Sequence, residues 1–164
     1  MDTLLSEELT ALQLKKLYQK ALRLLTRRDW GRQELFQRLA DYLSTDWPAD
    51  LPTDFAAIIN QTLDRLTAEG YLSELRFLTS YVNMRRQKGF GPLRIMYELK
   101  QRHVDETLIA EAVEPRNAQW DELARRLADK KRAQAKTPIQ QMRFLLARGF
   151  SSAQARKVIQ NHSR

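Results

Sequence analysis

Residues 84–100 read Met84-Arg-Arg-Gln-Lys-Gly-Phe-Gly-Pro-Leu-Arg-Ile-Met-Tyr-Glu-Leu-Lys100 and place a helix end directly beside a helix start. Pro92 suits the first position of a helix, where its missing N–H would have no partner, and Gly91 can serve as the N-cap before it. The stretch therefore predicts one helix over about 73–88 and another over about 91–102. Gly89 and Gly91 do not indicate nucleotide binding, because no strand precedes them and no Gly-Lys-Ser/Thr ending follows.

The same pattern recurs on both sides of this stretch. Residues 28–39 align with residues 88–99 at an offset of 60, and residues 90–113 align with residues 136–159 at an offset of 46. The second alignment pairs Pro92 with Pro138. A period above 40 residues in an all-helical chain is typical of a solenoid-like array of helical repeats.

The composition predicts an all-α fold, since only 5 Gly and 5 Pro interrupt 164 residues rich in helix formers and no run alternates as a strand would. The breakers divide the chain into nine helices in three repeats of three, each resembling a helix-turn-helix unit. We expect the first repeat over residues 1–72, with an N-terminal helix and an acidic loop at 45–53. The second and third are expected over 73–114 and 115–164.

Several classes of function are disfavoured by what the sequence lacks. With no cysteine, thiolate metal sites and cysteine nucleophiles are excluded, and the two histidines, His103 and His162, stand far apart. Adjacent carboxylates such as Glu7 and Glu8 point apart on a helix. We therefore expect no enzyme activity, no metal and no cofactor. The longest apolar run, Phe55–Ile59, is too short for a membrane span or an export signal, so we expect a soluble, cytoplasmic protein.

Charge is distributed unevenly along the chain. Residues 1–74 hold 9 basic and 12 acidic side chains, whereas residues 75–164 hold 19 basic and 8 acidic ones. This asymmetry predicts a basic surface on the C-terminal half that meets an anionic partner, either a nucleic acid or an acidic protein surface.

Two basic clusters are the candidate contacts for that partner. Cations at the end of a helix also complement its dipole, which gives Arg85, Arg86 and Lys88 of the first cluster a purely structural explanation. Arg94 lies near the positive end of its helix, so we attribute it to an anionic partner. The candidates are Arg85, Arg86, Lys88, Arg94, Lys100 and Arg102 in the first cluster, and Lys130, Lys131, Arg132, Lys136, Arg143 and Arg148 in the second.

Two further features of the sequence carry weaker predictions. Residues 39–64 contain five Asp and no Lys or Arg, and within this span Asp46 and Asp50 are candidates for contact with a basic protein surface. Trp30 and Phe90 could stack on nucleic-acid bases. Because they occupy equivalent positions in the internal alignment, we interpret them instead as core side chains.

Short motifs along residues 20–160 resemble those of the RecX family of regulatory proteins, in the same order. The central one is Lys88-Gly89-Phe90-Gly91-Pro92 with Arg94-Ile95 and Glu98-Leu99; the others are Arg28, Glu34-Leu35 and Leu39, then Glu69-Gly70-Tyr71-Leu72 with Arg76-Phe77, and Phe144-Leu145-Leu146 with Arg148-Gly149-Phe150. The chain departs from the family pattern at Phe90, where Tyr is usual, at His103, where Gly is common, and at Trp30-Gly31.

The resemblance implies an elongated, curved array of tandem three-helix repeats and a regulatory function without catalysis. It implies binding to the RecA–DNA filament that suppresses its ATP hydrolysis, strand exchange and co-protease activity, and so modulates DNA repair and recombination. We expect the chain to act as a monomer. The alternative is a direct binder of single- and double-stranded DNA. Since no helix carries a recognisable set of side chains for reading bases, that binding would be nonspecific and through phosphates.

Overall fold

A computed structural model describes residues 2–46, 54–131 and 137–162 of the chain. Within these ranges every regular element is an α-helix, which confirms the predicted all-α class. The helices are α1 (Asp2–Leu25), α2 (Arg32–Asp46), α3 (Phe55–Ala68), α4 (Glu74–Gln87), α5 (Pro92–Gln101), α6 (Glu106–Val113), α7 (Ala118–Lys131), α8 (Pro138–Ala147) and α9 (Ser152–His162).

The helix boundaries follow the predicted breakers closely. Helices α4 and α5 differ from their predicted bounds by one residue at each end. Helix α1 begins at Asp2 and ends at Leu25. The chain forms two compact units, Met1–Phe77 and Leu78–Arg164, with the border inside α4. The three repeat boundaries stay a prediction.

Each unit has its own apolar core, built from leucine and isoleucine at helical spacing. The fully buried side chains of the first unit include Leu17 from α1, Leu39 from α2 and Ile59 from α3. In the second unit the largest of them is Phe150, which is 1% exposed and follows the turn after α8. Burial of such side chains is the main favourable term that holds short helices together, since an isolated helix of this length is marginal in water.

Four of the helices end in the same Schellman turn, in which a left-handed residue lets the chain fold back and satisfy the last carbonyl groups. The left-handed residues are Gly70, Gly89, His103 and Gly149. In each turn the N–H of the next residue donates to a carbonyl five residues earlier, at 2.9 to 3.3 Å. His103 adopts φ of 58° in place of the usual glycine, as its position before the turn indicated.

The start of α5 is held against the α8–α9 turn by backbone alone. Gly91 N–H donates to the Arg148 carbonyl at 2.8 Å, and Leu93 N–H donates to the Gly149 carbonyl at 3.0 Å. The two N–H groups belong to the four that every helix leaves unsatisfied at its N-terminus. In return, the Arg148 guanidinium donates to the Lys88 carbonyl at 3.1 Å. The α4–α5 and α8–α9 turns thus bond to each other in both directions; we call this arrangement the turn lock.

The equivalent position in the first unit uses a side chain instead. The N–H of Arg32, at the start of α2, donates to the Glu74 carboxylate at 2.8 Å. Gly31, which the internal alignment pairs with Gly91, is buried against the Phe77 ring. A carboxylate at a helix N-terminus satisfies a free donor and complements the helix dipole.

The surroundings of Gly91 and Gly31 predict different losses of stability when each is replaced by alanine. A Cβ on Gly91 would lie 2.5 Å from the carbonyl carbon and oxygen of Gly149, both backbone atoms. A Cβ on Gly31 would meet a Phe77 ring carbon at 3.1 Å, and that ring can shift. We expect Gly91→Ala to lower the free energy of unfolding by about 1–3 kcal/mol or more, and Gly31→Ala by less than about 1 kcal/mol. Urea denaturation of both variants measures this, and equal losses would contradict a rigid turn lock.

Candidate functional site

Three arginine side chains surround the ring of Phe90 in the α4–α5 turn. The guanidinium carbons of Arg85, Arg94 and Arg148 lie 4.0, 4.3 and 5.3 Å from the ring centroid. The ring is half-buried, so the prediction of a core side chain is only partly correct. Cations of this chain already occupy the places where a nucleic-acid base would stack.

Trp30 has the same surroundings in the first unit. The Arg28 guanidinium lies 3.6 Å from the ring centroid, and the indole N–H donates to the Leu24 carbonyl at 3.2 Å. The ring is half-buried and packs against the core of that unit. The internal alignment of Trp30 with Phe90 therefore marks a repeated pair of an aromatic ring and an arginine, rather than a fully buried core position.

Glu98 on α5 gathers the cations around Phe90. Its carboxylate accepts hydrogen bonds from Arg85 Nε at 2.7 Å, from Arg94 Nε at 3.1 Å and from the Tyr81 hydroxyl at 3.0 Å. Partial burial raises the pKa of Glu98, but the hydrogen bonds from Arg85, Arg94 and Tyr81 outweigh it and hold that pKa below its usual range. Burial and the bond to Glu98 raise the pKa of the Tyr81 phenol. The cluster is a closed network of charge-assisted hydrogen bonds.

This network corrects the argument made for Arg94. The sequence attributed Arg94 to an anionic partner outside the chain, yet Glu98, one helical turn along α5, already pairs with it. The spacing of i and i+4 is the signal in the sequence that was missed. An external role for Arg94 stays a prediction.

Other members of the first basic cluster also have partners within the chain. Lys100 Nζ pairs with Glu106 at 2.8 Å. Arg86 donates to the Gln119 side-chain oxygen at 2.6 Å and lies 5.2 Å from the Trp120 ring centroid. Arg102 lies 5.0 Å from the Tyr81 ring centroid. Their roles in binding an anionic partner stay predictions.

A different group of cations lines an open cavity of about 360 Å³. Lys88 follows α4, Lys130 and Lys131 lie in the last turn of α7, and Arg148 follows α8, so the C-terminal ends of three helices converge there. The remaining lining residues are Gln87, Gly89, Leu127 and Phe144, so no carboxylate lines the cavity among the described residues. We call these four cations and the space between them the basic cavity.

The basic cavity joins two clusters that the sequence treated separately. Lys88 belongs to the first predicted cluster, whereas the other three cations belong to the second. Each cation lies near a helix C-terminus, where a positive charge stabilises the helix by about 0.3–1 kcal/mol. Leu127 and Phe144, the apolar part of the lining, were not among the predicted site residues.

The remaining candidates are not brought to this cavity by the part of the chain that is described. Arg143 is exposed on α8. Arg132, Lys136 and Asp50 lie outside the described residues, and Asp46 is the last residue of α2. The site roles of all five stay predictions.

Two searches of the described residues bear on other classes of function. No group of three or more His, Cys, Asp or Glu side chains there is arranged to hold a metal ion. No helix in the same ranges is long and apolar enough to cross a membrane.

The fold and the charged surface define an all-α repeat protein with a basic cavity on its second unit. The family model described as RecX, second three-helix domain, matches residues 73–113. "Regulatory protein RecX" of Vibrio campbellii is 41% identical over 136 residues, which is 80% of this chain and 81% of that protein. The protein of the same name from Pseudomonas entomophila is 35% identical over equal shares. This chain belongs to the RecX family of regulatory proteins.

Solved structures share the fold. A crystal structure of regulatory protein RecX has a TM-score of 0.76 at 22% identity and covers 96% of this chain and 77% of that one. The crystal structure of RecX from Lactobacillus salivarius has a TM-score of 0.75 at 21% identity, covering 92% of this chain and 97% of that one. At these identities the likeness concerns the fold alone.

The Glu98 network predicts a pH dependence of stability. Ionised Glu98 is favoured in the folded state, so its contribution is present above the ordinary carboxyl pKa of about 4.3 and is lost as the pH falls through its lowered pKa. We expect Glu98→Gln to lower the free energy of unfolding by about 1–2 kcal/mol at pH 7 and by much less near pH 3. Chemical denaturation at both pH values measures the difference.

Glu106→Gln is the matched control for that experiment. It also removes one carboxylate from an ion pair, but the Glu106 side chain is 77% exposed. Exposed pairs contribute about 0–1 kcal/mol, so this variant should change little at either pH. A loss in Glu98→Gln that is the same at pH 7 and pH 3 would contradict the role given to the ionised carboxylate.

Proposed function

We propose that this chain binds the filament that RecA forms on single-stranded DNA and restrains it. The observation that carries this proposal is membership of the RecX regulatory family across 80% of the chain. Restraint would lower ATP hydrolysis, strand exchange and co-protease activity of the filament, and thereby modulate DNA repair and recombination. The described residues support a binding role, since their ionisable side chains are organised as ion pairs and a cationic surface.

The charge of the second unit suits a partner that contains DNA. The second unit carries the basic cavity, which matches the charge of a DNA backbone. In the first unit, described acidic side chains serve the fold itself: Asp64 pairs with Arg32 at 2.7 Å, and Asp54 caps α3. Binding along a filament needs no oligomer of this chain, and we propose that it acts as a monomer.

Direct, nonspecific binding to DNA is the second candidate function, and the basic cavity is the observation that favours it. The two functions differ in the amount of this protein at which inhibition begins. A regulator that contacts the filament acts at a small ratio to RecA, whereas a competitor for DNA acts only when it covers the DNA.

The first test is single-strand-DNA-dependent ATP hydrolysis by the cognate RecA, with this protein titrated in at moderate salt. We expect inhibition well below one molecule per RecA protomer, because a bound regulator restrains more than the protomer it touches. Inhibition that begins only when the DNA is saturated would favour the second candidate. No inhibition at any ratio would contradict the proposed restraint of the RecA filament.

Asp46 and Asp50 provide a test of the protein side of the interface. Carboxylates attract a basic protein surface and do not bind phosphate. Replacement of both by Asn should therefore weaken binding to the RecA filament and leave affinity for bare DNA unchanged. Fluorescence anisotropy with labelled single-stranded DNA, in the presence and absence of RecA, separates the two affinities. An equal change in both would contradict a contact with protein.

A further inference from the structure

We propose that the basic cavity is a binding site for the phosphodiester backbone of nucleic acid, with Lys88, Lys130, Lys131 and Arg148 as the groups that contact phosphate. This deepens the proposed function, since it names where this chain would meet the DNA of the filament. It selects four of the twelve basic residues that the sequence offered.

The first argument is the contrast between these cations and their neighbours. Arg85, Arg94 and Lys100 have carboxylate partners within the chain, at Glu98 and Glu106. The side chains of Lys88 and Lys130 have no hydrogen-bond or ion-pair partner among residues 2–46, 54–131 and 137–162. A carboxylate therefore offsets part of the positive charge around Phe90, whereas Lys88 and Lys130 have no such partner among these residues.

The second argument is the preorganisation of Arg148. Its guanidinium donates to the Lys88 carbonyl at 3.1 Å, which fixes the side chain at the edge of the cavity. A guanidinium has five N–H donors, so further donors remain for a phosphate oxygen. The accepting carbonyl belongs to Lys88 itself, so the bond holds the Arg148 side chain beside the backbone of a second cation of the cavity.

The third argument concerns which part of a nucleic acid, the phosphate or the base, the cavity would contact. Arg148 and Lys131 lie 5.4 and 5.6 Å from the centroid of the Phe144 ring, and Arg148 also approaches Phe90. With cations beside both rings, neither offers an open face on which a base could stack. The site therefore recognises phosphate and not base, and binding through it is independent of sequence.

A phosphate in the cavity also acts on the fold. Four like charges around one small space repel each other, and they lie where Arg148 bonds to Lys88 in the turn lock. An anion between them reduces that repulsion and binds the folded state more tightly than the unfolded chain, in which the four cations are dispersed. By linkage, a polyanion that fits the cavity raises the melting temperature of the protein.

The experiment compares two double variants that each remove two positive charges. Lys88→Ala with Lys130→Ala changes the basic cavity and leaves Arg148 and the turn lock intact. Arg116→Ala with Arg156→Ala is the control, since both arginines are exposed and neither lines the cavity. Affinity for an oligodeoxythymidylate is measured by fluorescence anisotropy over a range of salt concentrations, and melting temperature is measured with and without the oligonucleotide.

For single strands, log affinity falls with log salt by about 0.7 for each phosphate contacted. We expect the cavity variant to reduce the magnitude of this slope by about 1.4 and to lose most of the rise in melting temperature on adding the oligonucleotide. The control variant should keep both. Equal reductions in the two variants would show diffuse charge only and overturn the proposal, as would an unchanged slope in the cavity variant. If the double variant fails to fold, Lys88→Gln alone should reduce the slope by about 0.7.

Poly-glutamate distinguishes a nucleic-acid site from a site for an acidic protein surface. We expect inorganic pyrophosphate to raise the melting temperature of the wild-type protein and poly-glutamate to raise it less. Protection by poly-glutamate that equals protection by the oligonucleotide, and that the cavity variant loses, would overturn the assignment to a phosphodiester.

The RecA ATPase assay separates this inference from the proposed function. If the wild-type protein fails to inhibit RecA while the slope difference holds, the proposed function fails and the phosphate site stands. If the cavity variant shows an unchanged slope while the wild-type protein inhibits RecA at low ratio, the phosphate site is overturned and the proposed function stands.

Discussion

The close approach of the Gly91 backbone to that of Gly149 is the constraint on which the second unit depends. At this distance the N–H groups of Gly91 and Leu93 reach the carbonyls of Arg148 and Gly149 after α8, and α5 has no side-chain cap. The contact requires Gly91 because a Cβ there would collide with backbone that cannot move away. It also brings Arg148 to the Lys88 carbonyl after α4, and so places two of the four cations of the basic cavity.

The same structural problem is solved by different chemistry in the first unit, where Glu74 supplies the acceptor that α2 needs. A side-chain carboxylate allows a looser approach, and Gly31 accordingly meets a ring instead of backbone. The two solutions show what the internal repeat conserves physically. It is the burial of a helix N-terminus with its donors satisfied, because unsatisfied donors at a buried helix end are costly.

The helices and their turns were predictable because the information is local. Gly, Pro and the residue before each turn act on the backbone within a few positions, and His103 shows that the position itself, more than its residue, requires the left-handed conformation. The basic cavity was not predictable, since Lys88 and Lys130 meet only through the packing of α4, α7 and α8. The Arg94–Glu98 pair was readable from its spacing, and the role of Asp50 depends on residues outside the described ranges.

The helix dipole explains why each cation of the basic cavity is favourable at its own helix end. It does not explain why the four are brought together around one cavity. One positive charge at a helix C-terminus is stabilising, whereas several brought together around one cavity also repel each other. A chain selected for stability alone would place a carboxylate among them, as Glu98 is placed among the arginines at Phe90. No carboxylate lines the described part of the cavity, and this contrast with the cluster at Phe90 is the reason we assign the cavity to an anionic ligand.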